Sequence, residues 1–183
     1  NMNTDLGGPE ITITEKAGDG TEAQINASGN DAWVYLDLES KKQVTTMTPD
    51  SDSGWDLAFK RVKVKTNSGI SGTGDVKVAR LSETDFGTLT DAPTSGYVQD
   101  SEDSDDTDTD PDYAFYTPST WYDYSGPPDH TITPGAYTYI VKTVEGNFYK
   151  LRFTDYYDAA GTSGYPKIEW APVTKPNGML TED

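Results

Sequence analysis

The sequence predicts an all-β, single-domain antiparallel fold of the sandwich or barrel-like type. Three observations predict it. Short runs of alternating apolar and polar residues recur along the chain, Gly- and Pro-containing turns separate them, and no stretch carries the 3.6-residue period of a helix. The length of 183 residues suits one domain, and a globule of that size buries roughly 70% of its unfolded surface.

The elements follow in chain order. Glu10 to Lys16 alternates Ile11 and Ile13 against Thr12 and Thr14, as a half-buried strand does. Asp31 to Glu39 sets Trp33 and Tyr35 on one face and Val34, Leu36 and Leu38 on the other, so this strand is expected to be covered on both sides. Gln43 to Thr48 is its expected neighbour, closed by Pro49. Trp55 to Thr66 reads as one long strand with Trp55, Leu57 and Phe59 on one face. Val62 and Val64 have the opposite parity, which suggests a bulge or a passage between sheets. A Gly-rich turn from Asn67 to Gly74 leads into a strand at Asp75 to Leu81. Residues 82–120 are irregular and hold an acidic run from Asp100 to Asp112. Order returns at Trp121 to Tyr124. Ala136 to Val144, the turn Glu145-Gly146-Asn147 and Phe148 to Tyr157 form a hairpin, and Tyr165 to Val173 is a last strand. Residues 1–19 read as a tether, 20–174 as the β-domain with an insertion loop at 82–120, and 175–183 as a polar tail.

Composition narrows the function. The absence of cysteine removes disulfides, thiol catalysis and Cys-ligated metals. A formal net charge of −17 repels phosphate backbones and anionic membranes, so nucleic acid is a poor partner. The chain starts at Asn1 and has no apolar stretch near the ~18 residues of a membrane span, which suits an exported protein freed of its signal peptide.

Catalytic signals are weak. With one histidine, a Ser–His–Asp triad would have to use His130, and no serine sits in a G-x-S-x-G elbow. The carboxylates are too many to single out a pair. Binding is therefore expected rather than catalysis. Asp106, Asp108, Asp110 and Asp112 place oxygen ligands at alternate positions, as calcium prefers, although the EF-hand glycine is replaced by Pro111 and the closing glutamate by Thr117. A solvated acidic loop is the competing reading. His130 follows the aromatic patch Trp121, Tyr122 and Tyr124, and a neutral imidazole beside aromatic walls can ligate haem iron. A hydrogen-bonded loop histidine is the competing reading. Trp33, Trp55, Trp121 and Trp170 are expected in the core. Lys60, Arg61, Lys63 and Lys65 are expected to pair with carboxylates.

Several segments resemble the HmuY family of bacterial haem-binding surface lipoproteins. They are Trp33-Val34-Tyr35-Leu36, Trp55 to Arg61, Asn67-Ser68-Gly69 with Gly72-Thr73-Gly74, and the hairpin from Tyr139-Ile140-Val141-Lys142-Thr143 through Gly146-Asn147 to Lys150 to Tyr156. The resemblance spans roughly residues 20–173. It implies a right-hand-shaped all-β fold, lipid anchoring upstream of Asn1, and capture of haem or a related porphyrin. It also implies two axial ligands, commonly His or Met. One would follow the WYDYS segment, where Gly126 stands and His130 comes four residues later; the other would fall in 100–118, which hold neither His nor Met. A His130 site, a tyrosine site at Tyr122 or Tyr124, and a member that binds no haem all remain open. The rival class is an extracellular structural or interaction module, steadied by calcium and assembled with other surface proteins. Glycan binding is a third reading.

Overall fold

The computed structural model describes residues 6–82, 85–105 and 107–177. Among the described residues, thirteen strands form three antiparallel sheets, accompanied by one turn of 3-10 helix. The first strands are β1 (Ile11–Glu15), β2 (Thr21–Ile25), β3 (Val34–Asp37), β4 (Lys42–Val44), β5 (Leu57–Lys60), β6 (Lys63–Thr66), β7 (Lys77–Leu81) and β8 (Tyr97–Val98). The 3-10 turn is Ala114–Tyr116; after it come β9 (Tyr122–Tyr124), β10 (Ile132–Pro134), β11 (Thr138–Lys142), β12 (Phe148–Tyr157) and β13 (Ser163–Pro172). The large sheet runs β1-β2-β13-β12-β11-β7-β8, the smaller β4-β3-β5-β6, and β9 with β10 forms a separate ribbon.

Alternation explains how the two larger sheets meet. Val34, Leu36, Leu57, Phe59 and Val64 from the four-stranded sheet share one buried cluster with Ile25, Leu151, Phe153, Ile168 and Trp170 from the seven-stranded sheet. Trp170 donates its indole N–H to Leu38 O at 3.3 Å, so the largest side chain at the junction also satisfies its polar atom. The opposite face of β3 carries Tyr35, which packs edge-on against Trp55 at 4.9 Å. β3 is thus apolar on both faces because both are covered.

Trp55 to Thr66 differs from its sequence reading. It is two strands, not one bulged strand, and Lys60 pairs with Lys63 across a two-residue turn. The change of side-chain parity is a reversal of the chain. Arg61 adopts φ 55°, a conformation that hairpin turns ordinarily give to Gly or Asn. Tertiary bonds hold it there: Arg61 N donates to Ala27 O at 2.7 Å and its guanidinium reaches Ser28 O and the Ser163 hydroxyl. Trp55 lies outside β5 and joins Tyr35 and Ala58, not Leu57 and Phe59.

Two further differences concern partners. Of the four cations in this stretch, only Lys63 makes an ion pair among the described residues, with Asp110 at 2.7 Å. Lys60 and Lys65 lie over the Trp33 ring at 4.8 and 4.5 Å, and Lys65 also donates to Tyr35 Oη. A half-desolvated ammonium gains more from an aromatic face than from an exposed carboxylate. The segment read as a tether contains β1, which pairs with β2 from Ile11↔Ile25 to Glu15↔Thr21. Only Thr21, Ala23 and Ile25 of β2 are buried, and two of these are small or polar, so its alternation is faint in the sequence.

The Asn67 to Gly74 motif is a clasp built on the buried Asn67 and Ser68. Asn67 donates to Asp52 O and Trp55 O at 2.8 and 2.9 Å and accepts from Gly74 N at 3.0 Å. A Cβ at Gly69, where φ is 52°, would lie 1.8 Å from Asp100 O. Only glycine lets the two backbones approach so closely. Asp100 N in turn donates to the Ser68 hydroxyl. The motif therefore pins the start of the acidic segment to the end of β6.

Candidate functional site

The acidic segment leaves this clasp and returns to it. Asp100 is 2% exposed; its carboxylate accepts from Thr66 N, the Thr66 hydroxyl and Ala114 N, each at 2.9 Å. Burial pushes its pKa up, and those bonds oppose the rise. Ser101 and Asp112 exchange backbone bonds at 3.0 Å, closing the loop between them. The turn Ala114–Tyr116 then buries Ala114 and Phe115 and sends the chain toward β9.

A ladder of edge-on aromatic contacts follows. Trp33 meets Tyr113 at 6.1 Å, Tyr113 meets Tyr116 at 5.6 Å, Tyr116 meets Tyr122 at 6.2 Å and Tyr122 meets Trp121 at 5.0 Å. Burial raises the pKa of Tyr113, Tyr116 and Tyr122, so these phenols stay neutral at physiological pH. Tyr113 and Tyr116 line a cleft of about 390 Å³ together with Asp105, Asp108, Asp110 and Asp112. A larger recess of about 680 Å³ beside β8 has Lys77 and the buried Asp100 as its only charged lining, so it offers less chemistry.

The ribbon of β9 and β10 stands beyond the cleft, anchored where Ile132 N donates to Tyr157 Oη at 2.9 Å. Its register pairs Tyr124 with Ile132. Ser125 N donates to Thr131 O, Thr131 N to the Ser125 hydroxyl and His130 N to Gly126 O, so the loop between the strands is closed on itself. Two side chains six positions apart thereby meet: Tyr124 Oη is hydrogen-bonded to His130 Nδ1, the rings 5.8 Å apart and 31° from parallel. Tyr124 is 54% exposed and His130 is exposed. No group among the described residues bonds Nε2, which leaves one imidazole nitrogen for a metal centre.

The aromatic patch divides accordingly. Trp121 is 0% exposed, stacks on Phe153 at 4.3 Å and donates to Val62 O at 2.9 Å. It supports the ribbon from the core and has no surface to give a ligand. Tyr122 is half-buried between core and cleft, and Tyr124 is the exposed neighbour of His130.

The calcium candidates are not gathered. Asp106 lies outside the described residues. Asp110 pairs with Lys63, Asp112 accepts from the Ser104 hydroxyl at 2.5 Å and Asp108 accepts from Asp110 N at 2.7 Å. Each carboxylate has its own donor. Among the described residues the acidic oxygens that do converge, within 4.8 Å of one another, belong to Asp37, Glu39 and Glu145. Buried Asp56 adjoins them, accepting from Leu38 N and Val144 N at 2.9 Å. Burial first, and the Glu39 charge second, push Asp56 up to about 8. The sequence hint was an aspartate between Trp55 and Leu57, in a strand otherwise fit for the core.

Comparisons with known proteins bear on fold and ancestry. No curated protein sequence matches the chain. Among solved structures, a Bacteroides vulgatus protein assigned as HmuY-like and heme-binding is 20% identical, covering 88% of this chain and 96% of its own, with a TM-score of 0.65. A Bacteroides fragilis protein assigned as a lipoprotein is 17% identical, covering 88% and 93%, with a TM-score of 0.64. The Tannerella forsythia apo HmuY analog is 17% identical, covering 90% and 100%, with a TM-score of 0.61. The HmuY protein family model matches residues 29–170, from the loop before β3 to Trp170 in β13. This chain belongs to the HmuY family.

Proposed function

We propose that the protein binds haem or a related porphyrin, without catalysis, at the tip of the β9–β10 ribbon, and that it works outside the cell as an anchored lipoprotein. The observation that carries this reading is the exposed imidazole of His130, whose Nε2 is bonded by no group among the described residues, in a chain of this family. Export and anchoring rest on the likeness to a protein assigned as a lipoprotein.

The donor set fits one axial bond. The chain has a single histidine, and residues 100–118 contain no histidine or methionine that could supply a second. An imidazole nitrogen is a suitable donor to haem iron, while exposed Tyr124 offers an aromatic face beside it. When bound, haem would supply the iron, and the protein would supply one nitrogen and aromatic contact.

A haemin titration followed by absorbance tests this. Wild type is expected to give a saturable Soret shift, and His130→Ala to lose it or to weaken binding by tenfold or more. A flat titration of the wild type would sink the reading. Equal affinity and spectrum in the two proteins would remove His130 as the ligand.

A further inference from the structure

We infer that the cavity enclosed by the β1–β2 turn, strands β12 and β13 and the turn at Phe86 binds a small organic monocarboxylate through the ammonium of Lys150. The cavity holds about 480 Å³, a size that takes a small ligand. Its charged lining is Lys16, Lys150 and Arg152 against one carboxylate, Glu169. This is a local inversion of sign in a chain of net charge −17. The cleft beside Tyr113 shows the contrast, with four aspartates and no cation in its lining. Charges more than about 8 Å away are largely screened at physiological ionic strength, so the local set decides which ion is drawn in.

Strand alternation and register bring these groups together. Leu151 and Phe153 turn into the core, so Lys150 and Arg152 take the opposite face of β12. Their cross-strand neighbours are Ala171 and Glu169. Glu169 accepts from Arg152 Nε and Nη2 at 3.1 and 2.7 Å, and Glu22 pairs with Lys16 at 3.4 Å. Two of the three cations therefore have a carboxylate. Lys150 has none among the described residues. Its Nζ donates to Phe86 O at 2.6 Å and lies 4.8 Å from the centre of the Phe86 ring, over which the Arg152 guanidinium also sits at 4.4 Å. An ammonium has three N–H donors, so this half-buried one keeps two for an oxyanion.

The charge count names the class of ligand. One uncompensated positive charge is matched by one carboxylate, whereas a phosphate dianion would bring a second negative charge beside Glu169. Bonds from an ammonium to a carboxylate are charge-assisted and stronger than the neutral contact with a carbonyl. Phe86, Ala17 and Ala171 supply apolar wall, which suits an acid with an apolar or aromatic body. The contacts of Lys150 and Arg152 with Phe86 hold that wall against the sheet. The cavity shares no residue with the ribbon that carries His130, so this site and the haem reading stand or fall separately.

An NMR titration of the full chain with benzoate, and with its neutral isostere benzamide, tests this. Benzoate is expected to shift the amides of Gly18, Gly20 and Gly87, which line the cavity, with a Kd of about 10 mM or tighter. Benzamide and inorganic phosphate are each expected to bind about tenfold or more weakly. Lys150→Met, which keeps the aliphatic stem, is expected to abolish the benzoate shifts, and Lys150→Arg to retain them. Benzamide binding as tight as benzoate, benzoate shifts that survive Lys150→Met, or shifts confined to residues outside the cavity would overturn the proposal. So would phosphate binding tighter than benzoate, or a wild type that binds no benzoate. If Lys150→Met does not fold, the contrast between benzoate and benzamide on the wild type decides.

Discussion

Asp100→Ala is expected to destabilise the protein by about 3–5 kcal/mol, because each buried donor left without an acceptor costs about 1–3 kcal/mol and water can satisfy only some of them. Thr66 N, the Thr66 hydroxyl and Ala114 N all lose their acceptor together. These donors lie on β6 and on the 3-10 turn, so the substitution unties the acidic segment from the clasp around Ser68 and Gly69. For a chain of this length the loss corresponds to roughly 10 °C in Tm. Asp100→Asn, which keeps the volume and one acceptor, is expected to lose less. Thermal melts of the three proteins check this, and a melting point for Asp100→Ala within about 2 °C of wild type would refute it.

The second large effect is a pH dependence centred on Asp56. Its folded pKa of about 8 lies above the ~3.9 of an unfolded aspartate. Between these values the folded state keeps a proton that the unfolded state has released. Stability therefore falls as pH rises through that window, and the contribution is fully present only below about pH 4. The raised value comes from burial at the sheet junction, then from Glu39, and to a lesser extent from Asp37. Glu145 and Tyr149 face the same pocket, and Tyr149 is pushed up to about 12 by burial and these four carboxylates. Because Glu39 is itself pushed up by burial and hydrogen-bonds to Asp56, the proton belongs to the pair.

Urea unfolding at pH 5, 7 and 9 is expected to show a decline of a few kcal/mol in the wild type. Glu39→Gln is expected to flatten that decline by removing the charge that opposes Asp56 ionisation. Wild-type and Glu39→Gln profiles that run parallel would count against the pair as the cause. Asp56→Ala serves as the control for the two backbone donors: stripping Leu38 N and Val144 N is expected to cost about 2–5 kcal/mol at pH 5, and the cost is expected to shrink as pH rises because the variant lacks the group that titrates.

Much of the fold was legible where local pattern and tertiary environment agree. The alternation Trp33 to Leu38 implied a strand covered on both faces, and β3 is covered on both. Gly146, at φ 86°, marks the turn between β11 and β12, where Thr143 N closes on Asn147 O at 2.9 Å. Reading failed where distant partners overrule the local signal. Arg61 makes a tight turn without glycine because Ser28 and Ser163 hold it, and β2 is a strand because β1 and β13 flank it.

By itself the sequence determined the fold class, the family and the single histidine, because side-chain period and residue type are properties of the local chain. The tertiary structure decided which of those residues are buried and which stay exposed. It turned Trp121 into the core, left Tyr124 and His130 at the ribbon tip, paired Asp110 with Lys63, and gathered Asp37, Glu39, Asp56 and Glu145 at the sheet junction. These outcomes depend on contacts between residues far apart in the chain, whose energies come from burial and shared hydrogen bonds that no local pattern encodes.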